Sequence, residues 1–104
     1  MQIHNFSVHI DAAANDKMRG HFRFLAQVSP PAAKRLRQQL NEAINFLKDS
    51  PKSCPPYLFA KAIDAELRYY LFGKRYRIVF EIDGSDVFIY DIQDCRQDTG
   101  KSLV

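Results

Sequence analysis

The feature that most constrains this chain is a regular alternation of side chains that ends in a turn signal. Within Arg75–Ile82, bulky apolar residues alternate with a set that contains two arginines and a glutamate. An alternation of period two is typical of a β-strand with one face in a core and the other toward solvent. Asp83-Gly84 follows at once and suits a tight hairpin turn, and Val87–Ile92 resumes a β-rich apolar run. The segment predicts a hairpin that carries arginines on its solvent face.

A second hairpin is predicted on the N-terminal side of the same strand. Gly73-Lys74 separates the strand from Leu67–Leu71, another β-rich run. If Gly73-Lys74 forms a two-residue loop, Tyr70 lies opposite Arg77 and Arg68 lies on the same face. We therefore expect a three-stranded meander in which Arg68, Tyr70 and Arg77 share one exposed face.

The N-terminal quarter predicts a short strand followed by a helix. Phe6–Ile10 alternates apolar and polar side chains, as a strand does. Ala12–Val28 keeps helical apolar spacing, although its second half, from His21, also fits an alternating strand. The helix is favoured because alanines crowd its start and Asp11 can cap its first amides.

A second helix is predicted from Ser29-Pro30-Pro31 to about Lys48. Proline fits the first helical turn and ends any earlier helix, and Ser29 can cap the free amides. The apolar stripe expected to pack on a sheet consists of Leu36, Leu40, Ala43, Ile44 and Leu47, with Phe46 at its margin. Lys34 and Arg35 occupy the first turn, where a positive charge opposes the helix macrodipole. Either a partner uses these cations or they form a solvated face.

Composition limits the chain to a single domain. The 104 residues are 46% hydrophobic and carry a net charge of +3, so we expect one core, residues 1–104 as one domain, and a loosely held tail at about 97–104. Two cysteines, Cys54 and Cys95, lack metal-ligand spacing and are expected to be free thiols. No leader peptide or membrane span is evident, which favours a cytoplasmic protein without a metal or cofactor.

Common catalytic motifs are absent from the sequence, which leaves a basic and aromatic surface as the candidate site. There is no glycine-rich phosphate loop, HExxH, GxSxG or CxxC pattern, and the histidines are dispersed. The candidate target-binding residues are Lys61, Arg68, Tyr70, Arg77 and Arg96. Guanidinium groups can hold a phosphate, and a tyrosine can stack on a base.

RNA cleavage at this surface would also need a general base. The candidates are Glu66, Glu81 and Asp91, provided that the fold brings one of them beside the arginines. The alternative is that the arginines are only the solvent side of a sheet, or pair with Glu66 and Glu81. Spacing alone favours that structural alternative over catalysis.

Three segments carry a resemblance to a known superfamily. They are SPPAAKRLRQQLNEAINFLKDSP (Ser29–Pro51), Leu67-Arg68 and GKRYRIVFEIDGSDVFIYDIQDCRQD (Gly73–Asp98). The chain resembles the RelE/ParE superfamily of toxins from bacterial type II toxin–antitoxin modules, and it is more similar to the ParE branch. The resemblance implies an α+β fold of order β-α-α-β-β-β, in which a helical hairpin packs on a mainly antiparallel, curved sheet.

The two branches of the superfamily imply different activities. ParE-like toxins inhibit DNA gyrase without being nucleases, whereas RelE-like toxins cut messenger RNA in the ribosomal A site. Arg77 matches the position of a RelE-branch active-site arginine, and Arg96 lies near that of a second one. No tyrosine or histidine follows Arg96 to complete such a site. The resemblance therefore favours binding to gyrase over catalysis.

Two alternatives to gyrase inhibition remain open at this point. One is a ribosome-dependent mRNA endonuclease with Arg77 and Arg96 as catalytic residues. The other is a non-toxic module that persists as an antitoxin-binding autoregulatory partner. Each branch implies a cognate antitoxin on the toxin surface, and any exposed residue among Phe22, Phe24, Tyr57 and Phe59 is a candidate for its footprint, with a core position as the default.

Overall fold

The computed structural model describes residues 5–58 and 66–95. The elements along the chain are β1 (Ser7–Ile10), α1 (Ala12–Val28), α2 (Pro30–Asp49), a 3-10 turn (Pro51–Ser53), β2 (Leu67–Phe72), β3 (Tyr76–Asp83) and β4 (Asp86–Asp94). This succession confirms the predicted β-α-α-β-β-β order. The predicted tail at 97–104 lies outside the described residues.

Both helices begin at the residues whose side chains can cap them. The Asp11 carboxylate accepts a hydrogen bond from the Ala13 amide at 3.0 Å, and the Ser29 hydroxyl accepts one from the Ala32 amide at 3.4 Å. The helix predicted for Ala12–Val28 is thereby confirmed over the alternating strand. No helix in the described parts of the chain is long and apolar enough to cross a membrane.

The four strands form one sheet in the order β1-β4-β3-β2. β1 pairs with β4 in parallel, and the two other pairs are antiparallel. The β3–β4 ladder shifts between Val79 and Phe80, which pair with Asp91 and Ile89 and leave Tyr90 as the extra residue of a bulge. A bulge of this kind bends its strand and increases the local twist. We therefore expect the mainly antiparallel sheet to bend at this position.

The core lies between one face of the sheet and the helical hairpin. Ile78, Phe80 and Ile89 from the sheet and Leu47 from α2 are completely buried, and Met18 from α1 is nearly so. Full burial of each such side chain contributes about 1.5–3 kcal/mol. The predicted stripe of α2 is confirmed, since its leucines and Ala43 are buried in this core. The opposite side of β3, which carries Arg77, Val79 and Glu81, is called here the outer face.

The loop between β2 and β3 has three residues, not the predicted two. Phe72 pairs with Tyr76, so Gly73–Arg75 forms the loop. Gly73 and Lys74 have φ values of 61° and 66°, and the Arg75 amide donates to the Phe72 carbonyl at 3.4 Å. Positive φ at both positions is characteristic of a type I′ turn, and Arg75 is the additional residue beyond it.

The extra loop residue makes the predicted grouping of the basic face wrong. Tyr70 lies opposite Ile78 and Arg68 opposite Phe80, because the register is displaced by one residue. A displacement of one residue turns every side chain of a strand to the other side of the sheet. Arg68 and Tyr70 therefore point to the helix side, whereas Arg77 points to the outer face.

The β3–β4 hairpin is confirmed, with its turn one residue further along than expected. Asp83 pairs with Asp86, so the two loop residues are Gly84 and Ser85. Gly84 has a φ of 63°, the backbone conformation that glycine adopts most easily. This turn sets the register as far as Phe80 and Ile89, and the bulge at Tyr90 then shifts it by one residue, which brings Arg77 opposite Gln93 on the outer face.

Candidate functional site

Arg77 lies at the centre of a polar and aromatic arrangement on the outer face. Its Nη1 donates a hydrogen bond to Gln93 Oε1 at 2.9 Å. Its Cζ atom lies 5.9 Å from the ring centroid of Tyr57 and 5.8 Å from that of Tyr69. Each cation–π contact at a partly exposed site contributes about 0.5–1 kcal/mol. The guanidinium is thus held in a defined position between two tyrosines.

The side chain of Gln93 connects Arg77 to the rest of the site. Gln93 is only 6% exposed, and its amide nitrogen donates to the Tyr57 hydroxyl and to Asp91 Oδ2, both at 3.2 Å. Asp91 Oδ1 in turn accepts from Lys17 Nζ at 3.1 Å. A satisfied polar group at this depth stiffens its surroundings. We refer to Tyr57, Tyr69, Arg77, Asp91 and Gln93 as the Arg77 network.

A short stretch of backbone pairing places Tyr57 in this network. The Tyr57 amide donates to the Leu67 carbonyl at 2.8 Å, and the Tyr69 amide donates to the Pro55 carbonyl at 3.1 Å. This pairing adds the segment to the edge of β2 and brings the two tyrosine rings together edge to face, 6.4 Å apart. The segment is suited to an edge because proline has no amide hydrogen to donate to a ladder.

Arg68 makes contacts within the fold, and it lies on the other side of the sheet from Arg77. Its Nη1 donates to the carbonyl oxygens of Cys54 at 2.7 Å and Lys52 at 3.3 Å, and its Nη2 lies 3.3 Å from Glu66. These bonds tie the 3-10 turn and the residue that follows it to β2. Burial raises the pKa of the neighbouring Cys54 thiol, and the charge of Arg68 partly offsets that rise. The geometry gives Arg68 a structural contact, and target binding by it stays an untested prediction.

Tyr70 stacks on a helix and does not face outward as predicted. Its ring lies parallel to that of Phe46 in α2, with centroids 4.6 Å apart and planes 15° apart. One side of the ring is therefore occupied within the fold. Of the other candidates, Phe22 packs against the core while Phe24 is 65% exposed. Lys61, Arg96 and Phe59 lie outside the described residues.

The three candidate general bases have different environments. Glu66 pairs with Arg68, and Glu81 accepts a 2.5 Å hydrogen bond from the Tyr90 hydroxyl, which raises the pKa of Tyr90. Asp91 belongs to the Arg77 network, but it is joined to Arg77 through the Gln93 amide and is paired with Lys17. In the described ranges, no cluster of metal-ligating side chains occurs. The site can hold an anionic or aromatic group, and its carboxylates are already paired.

A second arginine, Arg75, forms the tightest ion pair of the described chain at the end of the β2–β3 loop. Its Nη2 lies 2.6 Å from Asp94 Oδ2, and the Asp94 side chain is 2% exposed. The hydrogen bond to Asp94 raises the pKa of Arg75, although burial acts in the opposite direction. The Nε of Arg75 is also buried and has no hydrogen-bond partner within residues 5–58 and 66–95.

The fold and this surface define a small α+β protein with a basic and aromatic outer face, and comparison with known proteins gives the family. The family model described as the ParE toxin of the type II toxin–antitoxin system, parDE, matches residues 8–99. The chain belongs to this ParE toxin family. Membership implies an antitoxin as a partner. No curated protein gives a significant match.

A solved structure supports the same architecture. A chain of the chromosomal ParDE toxin–antitoxin system from P. aeruginosa superposes with a TM-score of 0.68 at 14% sequence identity. The superposition covers 88% of this chain and 98% of the other. At this level of identity the likeness is one of fold, and it agrees with the predicted helical hairpin on a mainly antiparallel sheet.

The sequence pattern does not indicate most of the Arg77 network. It marks neither Tyr69 nor Gln93, and it offers Tyr57 only as a possible antitoxin contact. A three-residue loop would have signalled Tyr69, since that register turns Tyr69 rather than Tyr70 to the side of Arg77. No sequence signal marks Gln93, because its role depends on the β3–β4 pairing.

Proposed function

We propose that this ParE-family toxin inhibits DNA gyrase in the cytoplasm by binding it, and that a cognate antitoxin neutralises the inhibition. The Arg77 network is the observation that carries the proposal. It presents a fixed guanidinium between two tyrosines on the face of the sheet away from the helices. Arginine and tyrosine are enriched among the residues that dominate binding energy at protein interfaces.

Binding is favoured over RNA cleavage by the state of the candidate bases. A general base must reach the proton that it removes within about 2.6–3.2 Å or through one water molecule. Glu66 and Glu81 are paired elsewhere, and Asp91 is shared between Lys17 and Gln93. Arg68 is held by backbone carbonyls on the other side of the sheet. These contacts support a surface that recognises a partner without cutting it.

A supercoiling assay with purified proteins tests the proposal. The wild-type protein should inhibit gyrase, and Arg77→Ala should raise the inhibitory concentration at least about tenfold, equivalent to 1.4 kcal/mol of binding free energy. Arg23→Ala is the matched control, since it removes the same charge from an exposed position of α1 outside the network. Wild-type protein that leaves gyrase unaffected at saturating concentration would refute the proposal.

The endonuclease alternative is examined in the same set of variants. Transcript ends mapped after induction should show no codon-phased cuts for the wild-type protein. Cuts that appear with the wild type and vanish with Arg77→Ala would replace gyrase inhibition by ribosome-dependent cleavage, with Arg77 as a phosphate clamp.

A further inference from the structure

A chain of hydrogen-bonded side chains runs from helix α1 to Arg77 on the outer face. Lys17 Nζ donates to Asp91 Oδ1 at 3.1 Å, and Asp91 Oδ2 accepts from the Gln93 amide nitrogen at 3.2 Å. The Gln93 amide oxygen in turn accepts from Arg77 Nη1 at 2.9 Å. A residue of the helical layer is thus connected, through two side chains of β4, to the guanidinium of the proposed binding surface.

This chain passes from one side of the sheet to the other at an open edge of β4. β1 ends at Ile10, which pairs with Ile89, and within the described residues no strand continues along that edge of β4. The bulge at Tyr90 lies at the same place, and Asp91 follows it. The open edge is therefore where Lys17 reaches Asp91.

The two ends of the chain fix the orientation of the Gln93 amide. Arginine can only donate hydrogen bonds, and an ionised carboxylate can only accept them. The amide must therefore turn its oxygen to Arg77 and its nitrogen to Asp91, which is the arrangement in the structure. The reverse orientation would direct N–H groups at the donors of Arg77, and such a loss is costly for a side chain that is only 6% exposed.

The Asp91 carboxylate that orients the amide is itself held from two sides. Its Oδ1 accepts from the Ile92 amide at 2.9 Å as well as from Lys17. The ion pair with Lys17 is partly exposed, so it adds little to stability by itself. Its effect is on the position of the carboxylate, and through it on the next link of the chain.

The chain uses one nitrogen of the Arg77 guanidinium and leaves the others for a partner. Nη1 donates to Gln93, whereas Nη2 and Nε have no hydrogen-bond partner among the residues that the structure describes. A guanidinium recognises a carboxylate or a phosphate through two parallel N–H bonds, which requires its plane to have the right orientation. A plane fixed through Nη1 keeps the remaining donors oriented before the target arrives.

We propose that Asp91 and Gln93 are positioning residues for Arg77, and that Lys17 extends this control to α1. The Asp91 carboxylate sets the orientation of the Gln93 amide, and the amide sets the plane of the Arg77 guanidinium. That plane determines how tightly the target binds. The last step rests on the proposed function, but the first two are properties of the free protein.

Rotation of the Arg77 guanidinium about its Cζ–Nε bond, measured by ¹⁵N NMR on the free protein, tests the first two steps. The Arg77 signals are identified by their loss in Arg77→Ala. Asp91→Asn lets the Gln93 amide turn either way, because an asparagine side chain both donates and accepts, and it should speed the rotation about fivefold or more. Gln93→Leu removes the acceptor and should have at least the same effect. Lys17→Met should have a smaller effect, since the Ile92 amide still holds Asp91.

A control and a rescue separate positioning from a general loosening of the fold. Asp16→Asn makes the same substitution in an exposed pair with Arg19, at 3.8 Å, and the rotation should match the wild type. The double variant Asp91→Asn, Gln93→Glu exchanges the carboxylate and the amide. The amide at position 91 then donates to the carboxylate at position 93, which accepts from Arg77, so slow rotation should return. Thermal unfolding checks that each variant is folded.

Supercoiling assays connect the rotation to the target. Asp91→Asn and Gln93→Leu should each raise the inhibitory concentration for gyrase about threefold or more, without exceeding the effect of Arg77→Ala. Asp16→Asn should inhibit like the wild type. Faster rotation with unchanged inhibition would overturn the claim that the plane of Arg77 determines binding.

The NMR measurement can overturn the positioning role without reference to gyrase. Unchanged rotation in Asp91→Asn, or fast rotation that the double variant does not reverse, would overturn the role of Asp91 and Gln93. Unchanged rotation in Lys17→Met would overturn the part assigned to α1. If the wild-type protein does not inhibit gyrase, the proposed function fails, while the rotation rates still decide whether these residues position Arg77.

Discussion

The Arg75–Asp94 ion pair is a single contact at a buried carboxylate that stabilises the fold and keeps Arg75 charged. Asp94 lies at the end of β4 with 2% of its side chain exposed, and Arg75 reaches it at 2.6 Å from the β2–β3 loop. The hydrogen bond raises the pKa of Arg75, so the stability from the charged arginine is present below its ordinary pKa and is lost only above the raised value. That loss lies beyond the pH range in which proteins are studied, and the Arg75 charge persists throughout it.

Substitution of Asp94 tests the energetic weight of this pair. Asp94→Asn should lower the free energy of unfolding by about 2–4 kcal/mol, because it leaves the charge of Arg75 partly buried and unpaired. Urea unfolding at neutral pH measures the change. Asp16→Asn is the control, since its pair with Arg19 is long, at 3.8 Å, and exposed, and it should cost less than about 0.5 kcal/mol. If both substitutions lowered the free energy of unfolding equally, the Arg75–Asp94 pair would stabilise the fold no more than an exposed ion pair does.

At the scale of elements, local sequence signals predict the helices and strands, whereas the length of the β2–β3 loop determines which side chains share a face. Asp11 and Ser29 mark the helix starts because capping depends on neighbouring residues alone. Arg75 continues the alternation of β3 in the sequence, and nothing nearby shows that it belongs to the loop. The face on which Arg68 and Tyr70 lie follows from that one residue. Register depends on pairing between strands, which the sequence pattern of one strand does not contain.

Two glycines make the contribution of the hairpin turns measurable. Gly73→Ala and Gly84→Ala each place a side chain at a positive φ, of 61° and 63°, and each should lower the free energy of unfolding by about 1–2 kcal/mol. An added Cβ meets nothing within 4 Å at Gly84 but approaches Gln39 at Gly73, so Gly73→Ala should cost a few tenths of a kcal/mol more. Urea unfolding gives both values. If the additional substitution Gln39→Ala removed the extra cost of Gly73→Ala, that result would support the close contact between the two positions. An increase in the free energy of unfolding on Gly73→Ala would contradict the prediction.

At the scale of the whole molecule, the sheet places the core and the Arg77 network on opposite faces. One face packs on both helices and carries the core, while the other carries the Arg77 network. The P. aeruginosa chain keeps the same architecture at 14% identity. The same fold thus forms in two chains of low sequence identity.

The two arginines on opposite sides of the sheet should differ in how their substitution affects gyrase inhibition. Arg68→Ala removes hydrogen bonds to two backbone carbonyls and should lower the free energy of unfolding by about 1–3 kcal/mol, while the folded fraction inhibits gyrase as before. Arg77→Ala removes two cation–π contacts and a hydrogen bond to the buried Gln93 side chain, so it should lower the free energy of unfolding by about 1–3 kcal/mol, and it should abolish most inhibition by the folded fraction. Urea unfolding and supercoiling assays on the same preparations measure both. Loss of inhibition in folded Arg68→Ala would show that this arginine also meets the target.

The parallel pairing of β1 with β4 has a consequence for how the chain folds during its synthesis. The first strand to leave the ribosome hydrogen-bonds to the fourth, which emerges last of the described strands. Until β4 is synthesised, β1 has no neighbour and the core lacks Val87, Ile89 and Ile92. We therefore expect a nascent chain interrupted before β4 not to reach the fold described above, since it lacks both the partner of β1 and these core residues.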